Sequence, residues 1–506
     1  MNHEQEKRSQ PDGRKTRSER SSRAIDDAPH YGRKINLSSG VENIQEVAAR
    51  SADASMWPRK LRRRPAFYQG PWVLIAGFTL IIVIGGVLLK LPWAAETGVH
   101  ISWGDALFTS TSAVTVTGLA VRNTANDFSL FGEVIILLLL QVGGVGFIAF
   151  SVLLFRLAGR RINLQNRFIV QQSLGVNQVT GAVRLAIYIL GVTLAIEGTG
   201  ALLLWLRWRT RLPDGEALWY AIFHAISSYC NAGFDLFSGA GKGVLFGFGD
   251  DWYTLAVMGT LILLGGFGIT VLWDVWSYPF DHTMGLNTRF TLIMAAALTL
   301  VGIAIFMVDP TFHKDILQHL PLDRRFAVAF FSVVSARTAG LTILPIDQLS
   351  EATQLVVMLW MFIGGSPASM AGGVSTSAVA VLLFAVIATA RGHDKPMAFK
   401  RTIPAETIAK AVAIMTVSTL LVVAITMFLS LSHEGEIFTV GFEVVSAFSN
   451  TGYSLDFTSR LDGFGRFLIA FTMFWGRLGP LTVVIALAQR QQPNFVRYPE
   501  EPIILG

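Results

Sequence analysis

The sequence predicts an all-α polytopic membrane protein of eight transmembrane helices, arranged as four pseudo-repeated helix–pore loop–helix units around a central pore. Three observations predict it. Hydrophobic residues make up 52% of the chain and charged residues only 15%, a balance of membrane proteins rather than of globular ones. Eight apolar runs approach the ~20 residues that a bilayer-crossing helix needs. Between them lie four glycine turns that read alike: Thr115-Val116-Thr117-Gly118, Cys230-Asn231-Ala232-Gly233, Arg337-Thr338-Ala339-Gly340 and Ser449-Asn450-Thr451-Gly452. The glycines stand 115, 107 and 112 residues apart, and self-similarity at a near-constant period marks a repeat architecture.

The apolar runs are Pro71–Leu91, Leu130–Phe155, Val183–Leu206, Tyr253–Trp276, Phe290–Val308, Leu355–Ala388, Ile408–Leu431 and Phe464–Ala488. A soluble fold would have to bury all eight as core helices, and the polar remainder is too small to cover them. Each turn sits between two runs and follows a short amphipathic stretch rich in Ser and Phe: Ala106–Ala113, Ala221–Ser228, Val328–Ala336 and Phe442–Phe448. The expected boundaries are a basic cytoplasmic tail over 1–65, pore units over 66–165, 166–285, 286–395 and 396–490, and a C-terminal cytoplasmic tail over 491–506.

The first 65 residues hold 15 Lys or Arg against 9 Asp or Glu, and their net +6 equals that of the whole chain. The basic excess is therefore a property of the tail, read as a disordered arm near anionic headgroups and not as a sign of nucleic acid. Short cytoplasmic loops are rich in Lys and Arg. The tail, the segment with Arg156, Arg160, Arg161 and Arg167, and the segment with Arg391, Lys395, Lys400 and Arg401 share one side if the N-terminus is inside. The C-terminus, with Arg490 and Arg497, then also lies inside, and all four turns enter from the outer face. Arg207, Arg209 and Arg211 disagree, since they fall outside. No signal peptide is visible. The single cysteine, Cys230, excludes an internal disulfide and a cysteine metal cluster.

Non-helical backbone at membrane depth must be buried or line a watery path. Glycine tolerates positive φ, so consecutive carbonyls can turn toward one axis. A stack of such oxygens replaces the hydration shell of a monovalent cation, and the preceding short helices aim their partially negative ends at it. No ring of acidic side chains stands at the turns, which argues against a divalent filter. The expected ion-binding residues are Val116, Thr117, Gly118, Asn231, Ala232, Gly233, Thr338, Ala339, Gly340, Asn450, Thr451 and Gly452. A single such glycine reads equally well as a helix cap; four in register do not.

These motifs resemble the selectivity filters of the Trk/Ktr/HKT superfamily of potassium transporters. The likeness covers about residues 68 to 506. The first span leads directly into the first turn, and Arg497-Tyr498-Pro499-Glu500-Glu501 is similar to the Ktr C-terminus, so the chain resembles a Ktr-type membrane subunit. Ser449-Asn450-Thr451-Gly452-Tyr453 departs from the usual Thr-Val-Gly-Leu/Phe by being bulkier and more polar. The resemblance implies a potassium filter, because glycine rather than serine stands at position 118. It implies potassium as substrate, with sodium open as an activator, and no cofactor bound by this chain. It further implies a homodimer in the cell inner membrane and a cytosolic regulatory ring that binds ATP or ADP. A sodium or less selective monovalent cation transporter of the same fold is the alternative.

The second span of each unit carries a glycine cluster 25, 32, 24 and 24 residues after its turn glycine, beginning at Gly143, Gly265, Gly364 and Gly476. Small residues permit close helix packing, which suffices for the first two. The third, Gly364-Gly365-Ser366-Pro367-Ala368-Ser369-Met370-Ala371-Gly372-Gly373, is too glycine-rich for a regular helix. It resembles the intramembrane gating loop of the family. Arg477, inside the last span, is a costly charge; it either repels cations beside this loop or bonds carbonyls freed by the broken helix, and both can hold. Glu197 is expected to bond nearby backbone, and Glu443 with Arg337 to form a pair behind the filter.

No phosphate-binding loop, metal-ligand cluster or nucleophile–base arrangement is present in the sequence, so the protein is not expected to be an enzyme, and nucleotide control has to come from a partner. An intramembrane enzyme would need paired acids or a Ser/Lys or His cluster at helix depth. Transporters of organic solutes usually show two inverted halves, whereas this chain shows four parallel copies.

Overall fold

The computed structural model describes residues 70–146, 182–237, 251–312, 318, 320–367, 369–393 and 395–479. The basic tail, the segment from Arg156 to Arg167, the C-terminal residues from Arg490 onward and the distal parts of the second and eighth expected spans lie outside them. The described chain is almost wholly helical: α1 (Gly70–Leu89), α2 (Trp103–Val114), α3 (Leu130–Val145), α4 (Ala182–Trp208), α5 (Asp214–Tyr229), α6 (Trp252–Asp281), α7 (Leu286–Val308), α8 (Leu322–Ala336), α9 (Glu351–Phe362), α10 (Thr376–Ala390), α11 (Ala405–Ser432), α12 (Ile437–Ser449) and α13 (Gly463–Leu478). One hairpin, β1 (Met397–Ala398) with β2 (Arg401–Thr402), joins α10 to α11.

Four described helices, α4, α6, α7 and α11, are long and apolar enough to cross a membrane. The remaining apolar helices are shorter. The sixth expected span is two helices, α9 and α10, separated by the loop 363–375. Helix starts follow polar caps: Ser102, Ser129, Ser350, Ser375 and Asp462 each accept a first-turn backbone N–H, which satisfies a donor the helix cannot.

The four amphipathic stretches are the helices α2, α5, α8 and α12, and all four bury the face that leads to a turn. Each packs between the two apolar helices that flank it in sequence. Each also touches the helix that closes the previous unit: α5 meets α3, α8 meets α6, α12 meets α9, and α2 meets α13. The last contact joins the two ends of the described chain, so the short helices stand in a closed circle.

Arg207 finds a carboxylate. It donates through Nε and Nη2 to Asp251 at 2.9 and 2.8 Å, and Asp251 also caps α6 by accepting from the Thr254 hydroxyl at 2.8 Å. Arg209 lies over the Trp205 ring, 5.0 Å from its centre. Arg207 and Arg209, which disagreed with the charge rule, thus have local partners, which reduces their weight in setting orientation. Burial by itself raises the Asp251 carboxyl, but the Arg207 and Thr254 bonds bring it below its ordinary range. A lowered folded value means stability present above the ordinary aspartate range and lost as pH falls through the lowered value. Asp251→Asn is therefore expected to lower thermal stability in detergent at neutral pH, on the order of 2 kcal/mol, with the gap to the parent closing in acid. Equal melting at neutral pH would show that the pair contributes nothing.

Candidate functional site

The four turns share one backbone. Two residues before each glycine, and again at the glycine, φ is positive: Val116 and Gly118 (53°, 84°), Asn231 and Gly233 (57°, 72°), Thr338 and Gly340 (76°, 67°), Asn450 and Gly452 (55°, 92°). The residue between them is not in that region. Alternation of this kind brings successive carbonyls to one side of the strand.

The glycines also meet each other. A methyl group on Gly118 would stand 2.6 Å from the Ala232 carbonyl oxygen, and one on Gly233 would stand 2.8 Å from that of Ala339. On Gly340 it would strike the Thr451 oxygen, and on Gly452 the Thr117 oxygen. Each glycine faces the carbonyl of the residue before the next glycine, and the fourth faces the first. The twelve expected residues come together as a single ring, and a side chain at any of its four glycines would press on the carbonyl of a neighbouring turn.

The ring is held from behind by hydroxyls and amides. Ser227 Oγ donates to the Phe234 carbonyl and Ser335 Oγ to that of Leu341, both at 2.7 Å, while Ser446 Oγ accepts from Gly452 N at 3.0 Å. Asn450 Nδ2 donates to Met473 O and to Thr117 Oγ1, both at 2.9 Å, tying the fourth turn to the first. Asn231, with its amide nitrogen toward the carbonyls of Ser228 (3.0 Å) and Ile262 (3.1 Å), holds the equivalent place in the second turn. The fourth turn, unusual in sequence, therefore repeats the second. The third is the one that differs. In the others the residue before glycine donates its N–H to the carbonyl five residues back; here Ala339 and Gly340 both donate to Ser335 O.

Position nine before the glycine carries a brace in units two and four; sequence reasoning passed over His224 and gave Glu443 another partner. His224 Nε2 lies 2.8 Å from Asp235 Oδ1, and Glu443 accepts from Phe457 N (3.0 Å), Leu455 N (3.2 Å), Thr458 Oγ1 (2.9 Å) and the Ser454 hydroxyl. Both side chains fix the chain that leaves the ring. The expected Glu443–Arg337 pair does not form: Glu443 is saturated by that segment, and Arg337 Nε has no hydrogen-bond partner. The signal was a titratable residue at one repeat position in units two and four. Glu197 also differs from expectation. It bonds side chains, Gln141 Nε2 at 2.9 Å and Cys230 Sγ at 3.7 Å, and not backbone.

Beneath the ring each second span ends or kinks. Gly146 and Gly479 end α3 and α13 at φ 91° and 83°, Gly268 kinks α6 at φ 72°, and α9 stops at Phe362. The first two glycine clusters thus do more than pack. They do pack: methyls on Gly143, Gly265 and Gly476 would collide with the carbonyls of Val114, Tyr229 and Phe448, at the ends of three short helices. The third counterpart, Gly364, faces Gly372 instead.

The kinks free carbonyls, and the loop 363–375 uses them. Ser366 N donates to Gly266 O at 2.9 Å and Met370 N to Gly265 O at 3.2 Å, while Gly364 N and Val374 O close the loop's neck at 2.8 Å. Arg477 completes the set by donating to Met370 O, to Gly143 O at 2.5 Å and to Gly144 O at 3.1 Å. Gly372 lies against Ser449 O and Asn450 Oδ1. The expected gate residues thus gather under the ring, with Ala368 outside the described residues. Among the described residues no His, Cys, Asp or Glu group is arranged to hold a metal ion.

A family model described as TrkH, cation transport protein, matches residues 53–498. The chain belongs to the TrkH cation transport family. The Ktr system potassium uptake protein B of Bacillus subtilis is 36% identical, with 87% of this chain and 97% of that protein aligned. The potassium/sodium uptake protein NtpJ of Enterococcus hirae is 34% identical, over 88% of this chain and 99% of that protein. The crystal structure of the potassium transporter TrkH from Vibrio parahaemolyticus shares the fold, with a TM-score of 0.66, 18% identity and 87% of each chain covered. TrkH membership agrees with the resemblance seen in the motifs, and it makes the chain a transporter and not an enzyme. The packing under the ring yields a test of the geometry: Gly476→Ala would press a methyl on the Phe448 carbonyl, and folded yield is expected to drop severalfold, whereas Gly463→Ala, which has open space around it, is expected to be silent. Equal yields would refute the close approach.

Proposed function

We propose that this protein takes up potassium across the cell inner membrane through the ring of four turns. The observation that carries the reading is the closed circle in which each glycine faces the carbonyl of the following turn. Such a circle supplies oxygens without acidic charge, which suits a monovalent cation. The short helices end at it and add their partial negative charge. In this reading the chain is four pseudo-repeated units and eight spans, with the twelve turn residues as the selectivity filter. The names of the Bacillus subtilis and Vibrio parahaemolyticus relatives favour potassium; that of the Enterococcus hirae protein keeps sodium open as co-substrate or activator.

The loop from Gly364 to Gly373, with Arg477, is proposed as the gate. Its backbone lies on carbonyls freed by breaks in neighbouring helices, so it can leave them only as a unit. Control is assigned to a cytosolic ATP- or ADP-binding ring, since no phosphate-binding loop is present in this sequence and the Bacillus subtilis relative is named as part of a Ktr system. A homodimer, implied by the resemblance to Ktr-type subunits, completes the proposal, with both termini cytoplasmic on the distribution of Lys and Arg.

Gly118→Ser tests the filter. Serine at positive φ costs about 1 kcal/mol and crowds the Ala232 carbonyl, so the potassium-to-sodium uptake ratio in whole cells is expected to fall about tenfold. An unchanged ratio in a well-expressed variant would remove Gly118 from the ion path.

Arg477→Ala tests the gate. It leaves three carbonyls without their shared donor and is expected to raise basal flux per folded protein severalfold. Arg477→Lys is expected to resemble Ala, because an ammonium does not reproduce the planar fork that spans two elements. A lysine variant with wild-type flux would mean that charge alone acts there.

A further inference from the structure

The residue three before each glycine shows how a turn is braced. In the first turn Thr115 Oγ1 meets Thr117 Oγ1 at 2.7 Å, and in the fourth Ser449 Oγ meets Thr451 Oγ1 at 2.7 Å. A hydroxyl pair within the turn thus links its first residue to the one before glycine. The second turn has Cys230 and Ala232 at these positions, and alanine has nothing to bond. Its carbonyl is nevertheless the one that lies against Gly118.

An outside brace stands there instead. Cys230 is fully buried, and its sulfur sits 3.7 Å from Glu197 Oε1 and 3.9 Å from Gln141 Oε1. Gln141 Nε2 donates to Glu197 Oε2 at 2.9 Å, so three side chains from α3, α4 and the turn close on one another. On its far side the sulfur rests on Gly144, where an added methyl would stand 2.5 Å from it. Glu197 is only 3% exposed although it lies in mid-helix. A buried carboxyl group is expensive to keep, and this one bonds Gln141 on α3 and the Cys230 thiol of the turn. We infer that Glu197, seconded by Gln141, is a positioning residue for the second turn, acting through Cys230 in place of the missing hydroxyl pair.

The inference rests on the reading of the turns as a selective path, and the experiment separates the two. Potassium and sodium uptake per folded transporter is measured for Glu197→Leu, Glu197→Gln, Cys230→Ala and the Glu197→Leu/Cys230→Ala double variant, with Gly118→Ser alongside. Glu197→Leu is expected to lower the potassium-to-sodium ratio about tenfold, and Glu197→Gln, which keeps length and an acceptor, to retain most of it. Because Glu197 acts through Cys230, adding Glu197→Leu to Cys230→Ala is expected to change the ratio less than about twofold. Loss of protein with an unchanged ratio per folded transporter, or effects that multiply in the double variant, would overturn the positioning role. Should Glu197→Leu fail to accumulate, Gln141→Leu carries the same expectation and the same refutation. If Gly118→Ser shifts the ratio and these variants do not, the positioning role alone fails; if Gly118→Ser does not shift it either, the path reading fails.

Discussion

Backbone groups at membrane depth have no water to bond, and this constraint organises the structure. In the four turns the carbonyls of Thr117, Ala232, Ala339 and Thr451 lie against the glycine of a neighbouring turn. The groups on the outer side of each turn then need partners of their own, and most have them, Ser112 Oγ, Ser228 Oγ and Asn450 Oδ1 being exceptions. Serines of the short helices, Asn231, Asn450, His224 and Glu443 meet that demand. Most of the buried polar residues in a strongly apolar chain are concentrated there, which is why a helix such as α12 buries a glutamate completely.

The same constraint operates one layer below. The carbonyls of Gly143 and Gly144, at the end of α3, and of Gly265 and Gly266, beside the kink in α6, take donors from outside their helices. Two of them take N–H groups of the loop 363–375, and two take the Arg477 guanidinium. The breaks, the loop and the arginine therefore form one arrangement: each makes the others tolerable in an apolar setting. Release of the loop would expose carbonyls on two helices at once, and such a cost favours two discrete states over a continuum.

The units are alike but not equivalent. Turns one and four carry their own hydroxyl pairs, turn two leans on Glu197 and Gln141, and turn three uses a shifted hydrogen-bond pattern beside the loop. The departure of the third unit has a local cause. Its second span is replaced at this depth by the loop, so no glycine presses on the end of α8 as Gly143, Gly265 and Gly476 press on theirs.

By itself the sequence determined the apolar helices, the four short helices, the four turns and the break in the sixth apolar run, because apolar run length, Ser- and Phe-rich amphipathic stretches and glycine spacing are local properties that a bilayer converts directly into helices and breaks. It also placed Arg477 within reach of freed carbonyls. Only the tertiary structure decided which partners the buried polar groups take. Glu443 bonds the segment after its own turn and not Arg337, Glu197 bonds Gln141 and Cys230 and not backbone, and the third turn, not the fourth, departs from the common pattern. The order of the ring was equally hidden, since the contact of Gly452 with Thr117 joins residues more than three hundred positions apart. Such pairings depend on which helices become neighbours once the circle closes, and no periodicity along the chain encodes that.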